Sequence, residues 1–146
     1  MNNTFRLKVI QDLAQNESDS AAIKLGSLNA EAAKAEAKLK MLIDYREEYR
    51  DRFRNSLNQD VHSAGWKNFQ LFLAKLDEAV EQQRAAVALC HQAVQQGQRE
   101  WQSKQKQVKA YDTLAQRHEL VQNARLKRLD QKLMDDFAAR GHAAKA

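Results

Sequence analysis

Trp66, Leu73, Val80, Val87, Val94, Trp101, Val108 and Ala115 stand seven residues apart through eight successive members, and Gln122 is the first break. An apolar residue at every seventh position keeps one row of side chains facing a single neighbour, which is the seam of a left-handed coiled coil. Repeated over this many heptads, the row commits the stretch to helix. A companion column, Phe69 and Leu76, lies three residues further on. It then decays into Gln83, Cys90, Gly97, Lys104, Tyr111 and His118. Leu126, Leu129, Leu133 and Phe137 resume an apolar face up to Ala139.

The first third of the chain supplies the matching half. Ala21, Leu25, Leu28, Ala32, Ala35, Leu39 and Leu42 alternate steps of four and three, and the columns continue to Tyr49 and Phe53. Arg46 interrupts the row between Ile43, Tyr45 and Tyr49. Upstream, Leu7, Ile10, Leu13 and Ala14 read as the same face, with Asn2, Asn3 or Thr4 available as N-cap. The chain has no proline and only four glycines, so nothing inside either pattern forces a break. The polar run from Arg54 to Gly65 is the one good loop.

These observations predict an all-α fold, a long two-helix antiparallel coiled coil closed as a helical hairpin. Residues 1–146 are expected to form a single coiled-coil domain. Helix one covers about 4–57, the bend 58–65 and helix two about 66–138, with 139–146 frayed. At 1.5 Å per residue the helices measure ~80 and ~110 Å, so the second should overhang by roughly 30 Å. The overhang is placed at the end holding both termini, around residues 120–146. The seam is expected to be bulky and well packed near the bend, through Tyr45, Tyr49, Phe53, Trp66, Phe69 and Phe72. It should be thin in the middle, where Ala32 and Ala35 face Ala86, Val87, Ala93 and Val94.

Such a pair of helices has too little core to enclose a substrate pocket. Constellations for catalysis are missing as well. His118-Glu119-Leu120-Val121-Gln122 begins like a zincin motif but has Gln where the second His is required. Cys90 falls in the seam column and reads as a packed thiol, and His62, His91, His118 and His142 share no metal-ligand spacing. The chain is expected to be no enzyme, with no cofactor and no metal. One cysteine cannot form an internal disulfide. The N-terminal stretch lacks the apolar run of a secretory signal, and no segment approaches the ~18 apolar residues of a membrane span. A cytoplasmic protein is expected, reaching membranes only through a partner.

The charge is local. Residues 1–98 balance 13 basic against 13 acidic side chains, while residues 99–146 carry 11 basic and 6 acidic ones, the whole net charge of +5. That excess favours solubility, or contact with something acidic. Nucleic acid is one candidate, although Glu119, Asp130, Asp135 and Asp136 interrupt the basic run. Two further features exceed what a passive pair of helices needs. Tyr45 and Phe72 lie outside the main seam columns and could widen the stripe into a docking flank, or simply pack the hairpin end. The leucines of the tail and Phe137 lie beyond the partner helix and need a third element to cover them, by self-association or by insertion into a partner.

Leu39-Lys-Met-Leu-Ile-Asp-Tyr-Arg-Glu-Glu-Tyr-Arg50, Trp66-Lys-Asn-Phe-Gln-Leu-Phe72 and Leu129-Asp-Gln-Lys-Leu-Met-Asp-Asp-Phe-Ala-Ala-Arg140 resemble the FliJ family of flagellar type III export proteins. The similarity spans nearly the whole chain in register, and Trp101 and Tyr111-Asp-Thr-Leu-Ala-Gln-Arg117 add to it. The resemblance implies a helical hairpin similar to the central stalk of rotary ATPases, serving flagellum biogenesis and motility. It implies insertion into the hexameric export ATPase (FliI) and promotion of its assembly and activity. It also implies binding to the cytoplasmic linker of the export gate protein (FlhA), and escort and recycling of flagellar export chaperones. The location implied is cytoplasmic, peripheral at the inner membrane through the export apparatus.

Residue by residue, the family's gate-binding surface maps onto Lys38, Leu42, Tyr45, Tyr49, Phe72, Leu76, Ala79 and Gln83. Lys38 and Gln83 depart from the family pattern, which has glutamine and histidine there. The ATPase ring is expected to meet Arg125, Leu126, Arg128, Leu129, Lys132, Leu133 and Phe137. A basic coiled coil that binds nucleic acid, or a self-associating structural protein, is the alternative reading of the same residues.

Overall fold

The computed structural model describes residues 2–57 and 63–145. Two helices account for almost all of them: α1, Asn2–Ser56, with 55 residues, and α2, Ser63–Lys145, with 83. No glycine among the described residues has a positive φ, so none acts as a helix stop. α1 ends where Ser56 turns its hydroxyl back to the Phe53 carbonyl at 2.8 Å, and Leu57 N–H donates to the same oxygen at 3.0 Å. These bonds satisfy a carbonyl that the last helical turn leaves without a partner.

The helices extend beyond their expected ends. Ser63, Ala64 and Gly65, read as part of the bend, are helical, and residues 58–62 of that bend lie outside the described residues. α2 also continues through Lys145 instead of fraying after residue 138. Ala138, Ala139, Ala143 and Ala144 carry the highest helix propensity, and no proline stops them.

The chain divides into two compact units, residues 20–101 and residues 1–19 with 102–146. In the first, α1 and α2 run antiparallel, since partner numbers fall on α2 as they rise on α1. Lys24 pairs with Glu100 at 3.3 Å, Glu36 with His91 at 2.7 Å and Arg46 with Asp77 at 3.3 Å, and the Phe53 and Phe69 rings stack with centroids 3.6 Å apart. Ala32, Leu76, Val80 and Gly97 are its buried core. In the second unit the order is the same: Glu17 pairs with Lys104 at 3.2 Å, Gln11 with Asp112 at 3.0 Å and Thr4 with His118 at 3.3 Å. Its buried seam residues are small, Ala14 and Ser18. The expected all-α, antiparallel two-helix arrangement therefore holds within each unit.

Several seam positions differ from their sequence reading. Ile10 and Leu13 face solvent, and the seam passes instead through Leu7, Gln11, Ala14 and Ser18. The strict four-three rhythm from Ala21 onward fixes the phase of one continuous helix, so upstream residues take the face that phase assigns. Arg46 does not interrupt the row; its side chain is only 17% exposed and holds the seam position, reaching out to Asp77. The companion column of α2 also stays in the seam through its polar members, since Gln83, Cys90, Lys104, Tyr111 and His118 are all half-buried. Near the end of α1, Tyr45, Trp66 and Phe72 are more exposed than a well-packed seam requires.

Candidate docking surfaces

The first surface is built from the aromatic end of unit 20–101. Tyr49 stacks on Phe69 with centroids 5.0 Å apart and meets the edge of Phe72 at 4.6 Å. Tyr45 approaches Phe72 edge-on at 6.3 Å, and Phe53 continues the ladder to Trp66 at 5.1 Å. Ring pairs in these geometries each contribute about 0.5–1.5 kcal/mol beyond the area they bury. Tyr45 is 44% exposed.

The eight positions predicted for gate binding lie together in this unit but play different parts. Lys38, Tyr45 and Phe72 are exposed, while Leu42, Tyr49 and Ala79 are half-buried. Leu76 is buried, at 7% exposure, and so backs the surface without presenting itself. Gln83 donates its side-chain amide to the Ala35 carbonyl at 2.9 Å, bracing α2 against α1. A half-buried amide of this kind costs free energy unless bonded, and this bond satisfies it.

Met41 is absent from the predicted set yet is largely exposed beside it. It helps line an open groove of about 400 Å³ with Ala37, Lys40, Asp44, Tyr45 and Glu48. The spacing of Ala37, Met41 and Tyr45, four residues apart, was the signal for it in the sequence.

The second surface is the end of α2. Every described side chain from Glu119 to Ala143 is exposed. Leu126 and Leu133 follow Ala115 by eleven and eighteen residues, about three and five helical turns. With Leu129 and Phe137 they therefore lie on the side of α2 that upstream holds Val108, Tyr111 and Ala115, although the heptad step itself breaks at Gln122. Here no described α1 residue covers them, and Phe137 is 80% exposed. Arg125, Arg128 and Lys132, also predicted for ring binding, flank this stripe and make no salt bridge among the described residues. A row of four large apolar side chains held out on a bare helix, edged with cations, is a surface shaped for an amphipathic and acidic partner.

Neither surface resembles a reaction centre. No group of three or more His, Cys, Asp or Glu able to hold a metal ion occurs among the described residues. Cys90 is half-buried in the seam, and His118 shares its hydrogen bond with Thr4. No helix in the described residues is long and apolar enough to cross a membrane.

The flagellar FliJ protein family model matches residues 3–146, which takes in both surfaces. The flagellar FliJ protein of Salmonella typhi is 37% identical over 134 residues, covering 92% of this chain and 91% of that protein. That of Escherichia coli (strain K12) is 36% identical over the same length and the same shares. A match of this extent leaves one assignment: the chain belongs to the flagellar FliJ family.

Proposed function

We propose that this protein is a non-enzymatic stalk of the flagellar type III export apparatus. Its bare α2 end inserts into the hexameric export ATPase and promotes the ring's assembly and hydrolysis. The observation that carries this reading is the stripe Leu126, Leu129, Leu133 and Phe137, which continues the apolar side of α2 without a covering helix. Two helices cannot match six equivalent subunits, so many weak contacts from Arg125, Arg128 and Lys132 suit the role better than a fixed lock. The aromatic flank around Tyr45 and Phe72 takes the linker of the export gate, and export chaperones dock in turn. The protein would work at the cytoplasmic face of the inner membrane, held there by these partners.

The test is ATP hydrolysis and ring formation by the purified export ATPase with and without this protein. Stimulation is expected with the intact chain and is expected to fall several-fold for the Leu129→Ser, Leu133→Ser, Phe137→Ser variant. Equal stimulation by that variant would overturn the assignment of the tail. Salt-sensitive binding to DNA in place of ATPase stimulation would favour the nucleic-acid alternative.

A further inference from the structure

Residues 3–19 of α1 are held to α2 far less firmly than the rest of the helix. Between them runs an open groove of about 600 Å³, lined on the α1 side by Thr4, Leu7, Lys8, Gln11, Asp12 and Gln15. Asp112, Ala115, His118, Glu119 and Gln122 form its α2 wall. The seam residues here are polar or small: Leu7 is the only large apolar member among Leu7, Gln11, Ala14 and Ser18. Phe5, Val9, Ile10 and Leu13, which could have sealed the seam, all face solvent.

Besides the small buried Ala14 and Ser18, what joins the two helices is a short series of exposed single contacts. Thr4 and His118 share a hydrogen bond at 3.3 Å, and Gln122 reaches the same Thr4 hydroxyl at 3.4 Å. Gln11 donates to Asp112 at 3.0 Å, and Lys104 pairs with Glu17 at 3.2 Å. Water can replace every one of these, so each adds little to closure. In the other unit, by contrast, stacked rings and the buried Val80 and Leu76 hold the pair.

The geometry points to residues 3–19 acting as a strap that lifts off α2 while the rest of α1 stays docked. Lifting uncovers Val108, Tyr111 and Ala115, half-buried under the strap when it is down. These lie on the same side of α2 as Leu126, Leu129, Leu133 and Phe137, since the eleven residues from Ala115 to Leu126 make about three helical turns. The bare apolar stripe thus lengthens from the tail back to about Val108. As a regulator of ATPase binding the strap rests on the function proposed above; as a local opening it does not.

Hydrogen exchange on the full chain tests the opening. Amides of residues 6–18 are expected to exchange about a hundredfold faster than those of residues 28–46. Filling the groove with Thr4→Leu, Gln11→Leu and His118→Leu should slow that exchange about tenfold. Equal protection of the two segments in the unmodified protein would overturn the strap.

Its role is tested by closing it. Gln11→Cys and Asp112→Cys, in a Cys90→Ser chain, are bridged with a short bis-maleimide and compared with the unbridged protein for stimulation of the export ATPase. Bridging is expected to cut stimulation at least twofold, and the filled-groove variant should follow it. Unchanged stimulation by both would show that lifting has no part in ring binding. If even the unbridged protein fails to stimulate, the ATPase reading falls, and exchange alone decides the strap.

Discussion

Gly97 of α2 lies under Leu28 of α1 so closely that a Cβ built on the glycine would stand 2.8 Å from the leucine Cδ1. The same Cβ would lie 3.4 Å from Leu25 Cδ1. Glycine here is therefore chosen for the neighbour's room, since its φ is that of an ordinary helix. In the interior of α2 it forgoes about 1 kcal/mol of helix propensity relative to alanine.

A comparison with Gly26 isolates that effect. Nothing lies within 4 Å of a Cβ built on Gly26. Gly26→Ala should stabilise by about 1 kcal/mol, seen as a higher thermal midpoint. Gly97→Ala should gain almost nothing, because the shift forced on Leu28 offsets the same propensity. Gly97→Leu should lower the midpoint clearly, by about 2 kcal/mol of stability, as overpacked seams do.

Arg46 and Asp77 are expected to respond asymmetrically. The Arg46 Nε is buried without a hydrogen-bond partner, and its Nη1 reaches Asp77, which Arg50 also approaches at 3.7 Å. Replacing a mostly buried cation by an apolar side chain of similar length removes its desolvation cost. Arg46→Met should be neutral or stabilising by up to about 1 kcal/mol in urea unfolding. Asp77→Ala should destabilise by about 1 kcal/mol, because it leaves the guanidinium in the seam without its acceptor. A larger loss for Arg46→Met than for Asp77→Ala would contradict this account.

Much of the fold was legible in the residues, and the failures have physical causes. The column from Trp66 to Ala115 and the rhythm from Ala21 to Phe53 specified two helices and their facing sides. Ile10 and Leu13 misled because they are apolar, while Gln11 and Ser18 sit in the seam because helix phase outranks side-chain type at one position. Arg46 misled for the opposite reason: a long side chain can fill a seam with its stem and carry its charge outward. At the docking flank, the aromatic residues were visible as a group. That Leu76 is buried behind them and Gln83 committed to Ala35 depends on the crossing of two helices, which no single-helix pattern contains.

Phe53 and Leu129 separate packing from display. The Phe53 ring stacks on Phe69 and touches Trp66, so Phe53→Ala should cost about 2 kcal/mol and lower the midpoint. Leu129 is 57% exposed, and Leu129→Ala should change stability by no more than about 0.5 kcal/mol. Thermal unfolding by circular dichroism distinguishes the two directly.

Tyr45 and Phe72 fall between those extremes. Each is partly exposed, and they meet edge to face. Tyr45→Ala with Phe72→Ala should leave the helix content unchanged and lower stability by about 1–2 kcal/mol. Binding to a peptide of the gate linker, followed by calorimetry, should weaken at least tenfold. A collapse of helicity would instead assign both rings to packing alone.

The apolar side of α2 passes from covered to bare by a step of eleven residues, Ala115 to Leu126, in place of the upstream seven, which makes the bare end a matter of phase. A helix that takes the place of α1 beyond residue 122 meets the same side of α2, about three helical turns further on. Seven residues inserted there would keep that side to within about 20°; three or four would turn Leu126, Leu129, Leu133 and Phe137 away from it by about 40–60°. The partner's grip would then be lost with every one of those side chains still present.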